Sequence, residues 1–379
     1  MIVGALGAPG RAFVGDRGQV AVHNEDWSLD WWIGADDRVR VPSSDPSTRR
    51  VEHGGAPIAQ TRLRVPGGDA VQRVYGIGGS GGAVVVEVAN ESPAAFVVGF
   101  SVVGARSISP VSVDGASGIA VDGRLAILMP YAPPRWSVND VVGAAPTIGE
   151  STGAMPACSG RSGVNATICF PLSHRNRLRI ALLTSGSDPG RLDLVNMPDA
   201  DEVARGWNAH LDKGMRVVLN DAREEGAINF ARSQVLLDPD PDAGVAAALE
   251  DWGYDTEATI AWEALSLRAR RASVLRRGLD AGDSASALLL RMRNELLRET
   301  HDGVDLLPSR DRRANVDVHG APTRFGSVSF AIRRMEEKVK VLWEVTDPAQ
   351  RFVLRASALD DSWNTSEAMG EAILSANRD

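Results

Sequence analysis

Short runs of alternating or β-branched residues, separated by turn-forming residues, fill the first half of the chain. Gly, Pro, Asn and Asp stand between the runs, which include residues 61–65, 70–75, 83–88, 95–103 and 177–183. Alternation with a period of two is typical of strands that bury one face. Asp122-Gly123 between two apolar runs indicates a two-residue hairpin. The pattern predicts a large antiparallel β-sandwich over residues 1–197.

The pattern changes to helical periodicity after residue 197. Asp199 with Glu202 forms a capping-box pattern, and Asp221 with Glu224 marks a second helix start. Further helices are predicted over 245–252, 256–277 and 284–300. From about residue 304 the alternation returns. The sequence therefore predicts an α+β multidomain protein: a β-sandwich (1–197), an incomplete layer of α/α helical hairpins (198–302) and a C-terminal β unit with a tail (303–379).

A tract rich in tryptophan and acids occupies residues 26–38, with three Trp and four Asp in thirteen residues. Flat indole faces beside carboxylates suit a sugar ring, which has apolar C–H faces and a rim of hydroxyls. Its odd-numbered positions 27, 29, 31 and 33 are all apolar, so the tract also fits a strand that buries one face. Because Trp is mostly buried in proteins, the core-strand interpretation is favoured.

A strand of this kind would place some side chains of the tract in the core and others at the surface. Period-two alternation sends neighbouring side chains to opposite faces, so Trp31 and Trp32 cannot both be core if the sheet has one wet side. We predict that Trp31 points inward while Trp32, Asp36 and Asp37 face a groove or an interface. The candidate ligand-binding residues are Trp31, Trp32, Asp36 and Asp37.

Three acids in the helical segment are candidates for catalysis. Asp251, Asp255 and Glu257 flank Trp252 and Tyr254 where one predicted helix ends and another begins. Glycoside cleavage requires two carboxylates about 5–10 Å apart. The alternative is structural: Asp255 as an N-cap and Glu257 as a favourable first-turn acid. We favour the structural interpretation.

Other motif-like stretches lack the context that their chemistry needs. Residues 78–82 match G-x-S-x-G, but a strand rather than a helix follows them, which indicates a hairpin tip. Residues 238–244 resemble the start of a calcium loop, but Ala243 and Leu249 occupy the positions of its glycine and bidentate glutamate. The six histidines are never spaced as zinc ligands. We expect neither a metal site nor a cofactor.

Charge and cysteine content limit the partners that we expect. The net charge of −8 argues against nucleic-acid binding. The first residues do not form a signal-peptide pattern, and no apolar run is long enough for a membrane span, so we expect a cytoplasmic protein. In that compartment Cys158 and Cys169 are expected to be reduced thiols, although a disulfide between them is conceivable.

Taken together, the chain resembles actinobacterial proteins of the six-hairpin, glucoamylase-like class of glycosidases. The matching stretches are residues 27–38, 65–73, 204–217, 318–326 and 342–345. The resemblance implies a β super-sandwich joined to an α/α helical toroid. A complete toroid has twelve helices and needs roughly 180 residues or more. Only 81 residues lie between Asp221 and His301, so the ring would be incomplete.

Three functions follow from this resemblance and its incompleteness. The first is a carbohydrate-active or carbohydrate-binding protein with reduced or no hydrolase activity. The second is a non-catalytic scaffold that binds a protein partner, or a second copy of itself, through its helical face. The third is an active glycoside hydrolase using Asp251, Asp255 or Glu257. An incomplete ring leaves acids near water, which disfavours the hydrolase.

Overall fold

The computed structural model confirms an α+β protein dominated by antiparallel sheet. It describes the whole chain except residues 9, 52–53, 80–81, 114–115, 140–150, 185–186, 266–283, 309–314, 337, 350 and 376–379. The described residues form two compact units. The first is Met1–His53 with Pro57–Arg205, and the second is Gly54–Ala56 with Gly206–Asp379.

The first unit contains a single antiparallel sheet of fifteen strands. Its strands are β1 (Ile2–Gly4), β2 (Arg11–Val14), β3 (Val20–Val22), β4 (Ser28–Gly34), β5 (Val39–Arg40), β6 (Arg49–Val51), β7 (Ala59–Val65), β8 (Gly68–Ile77), β9 (Ala83–Glu91), β10 (Phe96–Val113), β11 (Ala116–Val121), β12 (Arg124–Met129), β13 (Arg135–Asn139), β14 (Cys158–Leu172) and β15 (Arg177–Leu183). The order is β1-β2-β3-β4-β10-β11-β12-β15-β9-β8-β7-β6; β5 pairs with β4, and β14 with β10 and β13. A Cβ atom on Gly76 in β8 would overlap the backbone of Gly4 in β1, so the sheet curls until these strands touch.

The core of the first unit lies inside this curled sheet. Leu29, Trp31 and Ile33 of β4 enter it together with Phe100 of β10 and Phe170 of β14. The two Phe rings meet edge-on, 6.5 Å apart. Such alternating burial of large apolar side chains is the main stabilising contribution of a sandwich.

The turn predicted at Asp122-Gly123 is confirmed. It joins β11 to β12, with φ of 50° at Asp122 and 81° at Gly123. Both residues are in the left-handed region that a type I′ hairpin turn requires. Cys158 and Cys169 both lie in β14, opposite Ile108 and Gly99 of β10, and this separation along the strand is too large for a disulfide.

The second unit combines helices with two further sheets. The helices are α1 (Ala200–Leu211, which begins in the first unit), α2 (Ala222–Leu236), α3 (Ala243–Asp251), α4 (Asp255–Ala264) and α5 (Ala285–Leu296). The strands are β16 (Arg216–Leu219), β17 (Leu297–Glu299), β18 (Gly303–Leu306), β19 (Val316–Thr323), β20 (Gly326–Met335), β21 (Lys338–Thr346), β22 (Val353–Ala356), β23 (Asp360–Thr365) and β24 (Met369–Ser375). The sheet orders are β16-β19-β20-β21-β24 and β17-β18-β22-β23, and β18 pairs with β22 in parallel. None of the described helices has the length and apolar character needed to cross a bilayer.

Helix boundaries confirm some of the predicted caps and correct others. The Asp199–Glu202 capping box forms in both directions, at 2.9 and 3.0 Å. The helix predicted over 284–300 ends at Leu296, because Leu297 is extended and pairs with Leu306 of β18. The helix predicted from residue 256 ends at Ala264, since Leu265 is extended, and residues 266–277 lie outside the described chain.

Candidate functional site

The tryptophan tract forms an interior strand covered on both faces. Trp31 and Trp32 are 2% and 1% exposed, so the prediction that Trp32 faces a groove is wrong. Alternation does send the two indoles to opposite faces of the sheet, but neither face is exposed to solvent at β4. Trp31 donates a hydrogen bond from Nε1 to the carbonyl of Arg17 at 3.1 Å, whereas no described residue accepts one from Trp32 Nε1.

The two acids after this strand occupy the β4–β5 turn. Asp36 and Asp37 are exposed. The Arg40 guanidinium donates to both oxygens of Asp37, at 2.6 and 2.5 Å. This pairing lowers the pKa of Asp37 to about 2. The Asp37 carboxylate is therefore engaged in holding the turn.

The three candidate catalytic acids lie at the connection between α3 and α4. Asp251 ends α3 and is half-buried, Asp255 begins α4 and is exposed, and Glu257 lies in the first turn of α4. The N-cap of α4 is Tyr254, so the prediction of Asp255 as N-cap is wrong by one residue. None of the three is among the residues that line the three pockets described around Glu87, Phe352 and Ile119.

Glu257 instead lies beside a histidine in an aromatic cluster. Glu257 Oε1 is 3.2 Å from His210 Nε2, an ion-pair distance without the angle of a hydrogen bond. The His210 ring stacks on Tyr254 with centroids 5.8 Å apart, and Trp207 packs edge-on against it. Burial lowers the pKa of His210, and the Glu257 carboxylate offsets part of this effect. His210 is therefore a mostly neutral, structural side chain near pH 7.

This lowered pKa predicts a pH dependence of stability. As the pH falls through 6.5, His210 takes up a proton in the unfolded chain before it does so in the folded one. Its contribution to the free energy of unfolding is thus complete above pH 6.5 and declines below it. Urea unfolding at pH 7.5 and 5.5 should show a smaller loss of stability in His210→Gln than in wild type. His301→Gln, at a 92% exposed side chain, is the control and should behave as wild type. Equal losses in all three proteins would contradict the effect.

A polar pocket in the first unit is the best candidate for a functional site. Its volume is about 510 Å³, within the usual range for small-molecule sites. We call it the Glu87 pocket. Its lining residues are Arg73, Glu87, Ala89, Asn90, Glu91, His174, Arg175, Arg177, Asp199, Ala200 and Asp201. They come from β8, β9, β15, the turn before β15 and the first turn of α1.

The floor of the Glu87 pocket is a buried carboxylate held by arginines. Glu87 is 1% exposed and accepts hydrogen bonds from Arg73 at 3.1 Å and Arg179 at 2.7 Å. Arg177 lies 3.7 Å from the same carboxylate. Register explains this geometry, because Arg73 and Arg179 stand directly opposite Glu87 on the two neighbouring strands. A buried carboxylate needs such partners, so the floor is fixed in one arrangement.

Two hydrogen bonds tie the segment before α1 to this floor. Arg179 donates to the carbonyl of Met197 at 3.1 Å, and the Tyr75 hydroxyl donates to the carbonyl of Pro198 at 3.2 Å. They position Asp199 and the start of α1 beside the arginines. The backbone amide of Glu202 donates to Asp199 and lowers the pKa of that carboxyl.

The rim of the Glu87 pocket is also mostly charged. Glu91 pairs with Arg62 at 2.9 Å, and His174 Nδ1 is 2.5 Å from the carbonyl of Ser92. Three arginines (Arg73, Arg175 and Arg177) and four acids (Glu87, Glu91, Asp199 and Asp201) line the pocket, and Arg179 and Arg62 pair with two of these acids. The positive and negative charges are therefore nearly balanced, which makes the site rich in hydrogen-bond donors and acceptors without a strong net charge.

Sequence reasoning missed this pocket, although a signal was present. Glu87 interrupts the apolar run 83–88, and Arg177 and Arg179 stand two residues apart on one face of a strand. A charged residue in an otherwise buried strand indicates a partner on the neighbouring strands. The partner strands could not be identified without the sheet order, since β8 and β15 are about a hundred residues apart.

Comparisons with known proteins do not identify the family of this chain. No protein-family model matches the chain, and no curated protein matches it in sequence. Among solved structures, it is similar to one named "Putative kojibiose phosphorylase from human microbiome", with a TM-score of 0.29 and 8% identity. The match covers 55% of this chain and 31% of that one, so the chain spans about a third of the matched structure. A likeness at this level assigns neither an activity nor a ligand.

Proposed function

We propose that the protein binds a neutral saccharide in the Glu87 pocket and does not hydrolyse it. The observation that carries this proposal is the combination of a ligand-sized cavity with a charge-balanced, hydrogen-bonding lining. An apolar ligand would leave the guanidinium and carboxylate groups without partners, which is unfavourable. A strongly charged ligand of either sign would meet several charges of its own sign.

Saccharides fit this lining because each hydroxyl both donates and accepts hydrogen bonds. Guanidinium groups only donate hydrogen bonds and ionised carboxylates only accept them. A pocket that contains both can therefore donate to the oxygen of a hydroxyl group and accept from its O–H. Asn90 lines the pocket as well, but its side-chain amide donates to the carbonyls of Ala94 and Leu172. The charged groups therefore supply the recognition.

The state of the carboxylates supports binding rather than hydrolysis. A glycosidase acid is a protonated carboxyl whose pKa is raised by burial or by a neighbouring negative charge. Both oxygens of Glu87 accept hydrogen bonds from arginines. The pKa of Asp199 is lowered, so it stays ionised at neutral pH. Neither group is set up to donate a proton to a leaving oxygen.

Calorimetry and thermal unfolding of the full chain test this proposal. A panel of neutral mono- and disaccharides should include one that binds, and at a hundred times its Kd it should stabilise the protein by about 2.7 kcal/mol. Ala89→Trp should fill the cavity and weaken binding at least tenfold. Ala368→Trp changes an exposed alanine in another pocket, of the second unit, and should bind like wild type.

Two results would count against the proposal. Absence of binding across the panel, with wild type correctly folded by circular dichroism, would refute the saccharide site. Chromatographic detection of cleaved products that disappear with Ala89→Trp would instead show that the pocket is catalytic.

A further inference from the structure

One pocket residue adopts a backbone conformation that its side chain disfavours. Arg175 has φ of 59°, in the left-handed region that residues with a Cβ rarely adopt. It is the third residue of the exposed turn Ser173–Asn176, which connects β14 to β15. Gly or Asn would be accommodated there with less strain.

The turn itself does not require an arginine. Arg175 and its neighbour Asn176 hold the turn through their backbone: Arg175 N donates to Asn90 O at 3.1 Å, Asn176 N to Ser173 O at 3.1 Å, and Asn90 N to Asn176 O at 3.0 Å. A glycine at position 175 would make the same bonds. The arginine side chain must therefore be explained by something other than the turn.

The guanidinium of Arg175 differs from those beside it. Arg73, Arg177 and Arg179 all lie against Glu87. The Arg175 side chain lines the same pocket and is exposed, but it forms no hydrogen bond or ion pair with any residue in the described part of the chain. Its donors, unlike those of Arg73 and Arg179, are not hydrogen-bonded to Glu87 and are free for a ligand. Strain retained at a pocket is a recognised sign of a functional side chain.

We propose that Arg175 determines ligand specificity by donating two parallel hydrogen bonds to neighbouring hydroxyl oxygens of the saccharide. This inference rests on the proposed function of the Glu87 pocket. A guanidinium presents its N–H donors in a planar fork, which two adjacent ring hydroxyls can meet together. A lysine ammonium has the same charge without the fork. The ligand class is thus a sugar with a vicinal diol.

The test compares Arg175→Gly, Arg175→Lys and Asp347→Gly with wild type. Arg175→Gly should raise the unfolding midpoint by about 3 °C because the strain is relieved, and should weaken saccharide binding at least tenfold. Arg175→Lys should also weaken binding at least fivefold, with little dependence of affinity on salt. Asp347, exposed and with φ of 51°, is the matched control. Its change to glycine should raise the midpoint and leave the affinity unchanged.

The outcomes separate this inference from the proposed function. A wild type that binds no saccharide refutes the function of the pocket. If wild type binds a saccharide but Arg175→Gly binds it equally well, or is less stable than wild type, only the role of Arg175 is refuted. Full affinity of Arg175→Lys for the same neutral sugar would show that the planar fork is not needed and would overturn the diol assignment.

Discussion

Gly99→Ala should destabilise the first unit by about 3 kcal/mol or more, one of the largest effects expected in this protein. Gly99 in β10 stands directly opposite Trp32 in β4, and a Cβ atom there would overlap the Cε2 and Cζ2 atoms of the indole. Both residues are buried, so neither backbone nor ring can move aside into solvent. Denaturant unfolding followed by tryptophan fluorescence measures this loss.

A double-mutant cycle separates the overlap from a general intolerance of strand substitution. Trp32→Ala removes a buried indole and should cost about 3–5 kcal/mol by itself. In that background Gly99→Ala no longer meets the ring, so its added cost should fall below about 1 kcal/mol. The coupling energy should thus be at least about 2 kcal/mol. Additive costs would show that Gly99 is required for a reason other than the indole.

Arg232→Ala should destabilise the second unit by about 3–5 kcal/mol, the typical result of breaking a buried charged network. Arg232 of α2 is 2% exposed. It donates to the Tyr254 hydroxyl and to Asn229 Oδ1, each at 2.9 Å, and to the carbonyl of Leu211 at the end of α1. Its guanidinium also lies 5.6 Å from the ring centroids of both Trp252 and Tyr254. One side chain thus connects three helical segments.

The variants Arg232→Lys and Arg232→Met identify which property of the arginine matters. Lysine retains the charge but is more strongly hydrated and lacks the planar fork, whereas methionine fills space without charge. We expect lysine to cost at least as much as methionine, because no carboxylate among the described residues pairs with this cation. Arg223→Ala, an exposed arginine at the start of the same helix, should change stability by less than about 0.5 kcal/mol. Full stability in the lysine variant would contradict a role for the fork.

Local patterns predicted many of the elements of the fold but not all of them. Alternation predicted strands such as β7, β9 and β15 but not β14. Turn and capping residues predicted the hairpin at Asp122-Gly123 and the start of α1 at Asp199, because these depend on groups close in sequence. Helix ends were less well predicted. Leu297 leaves the helical conformation to pair with a strand, and such tertiary pairing overrides local propensity.

The candidate site depended on contacts that no local pattern contains. Trp31 and Trp32 were correctly placed on opposite faces of one strand, yet their burial depends on what covers each face, and both faces are covered. Glu87, Arg73 and Arg179 are brought together by a sheet order in which β9 lies between β8 and β15. The sequence alone determined strands such as β7, β9 and β15, the Asp122-Gly123 turn and the start of α1, since their causes lie within a few residues. Only the tertiary structure decided which charges meet, because a buried charge is stabilised by partners that are close in space rather than in the chain.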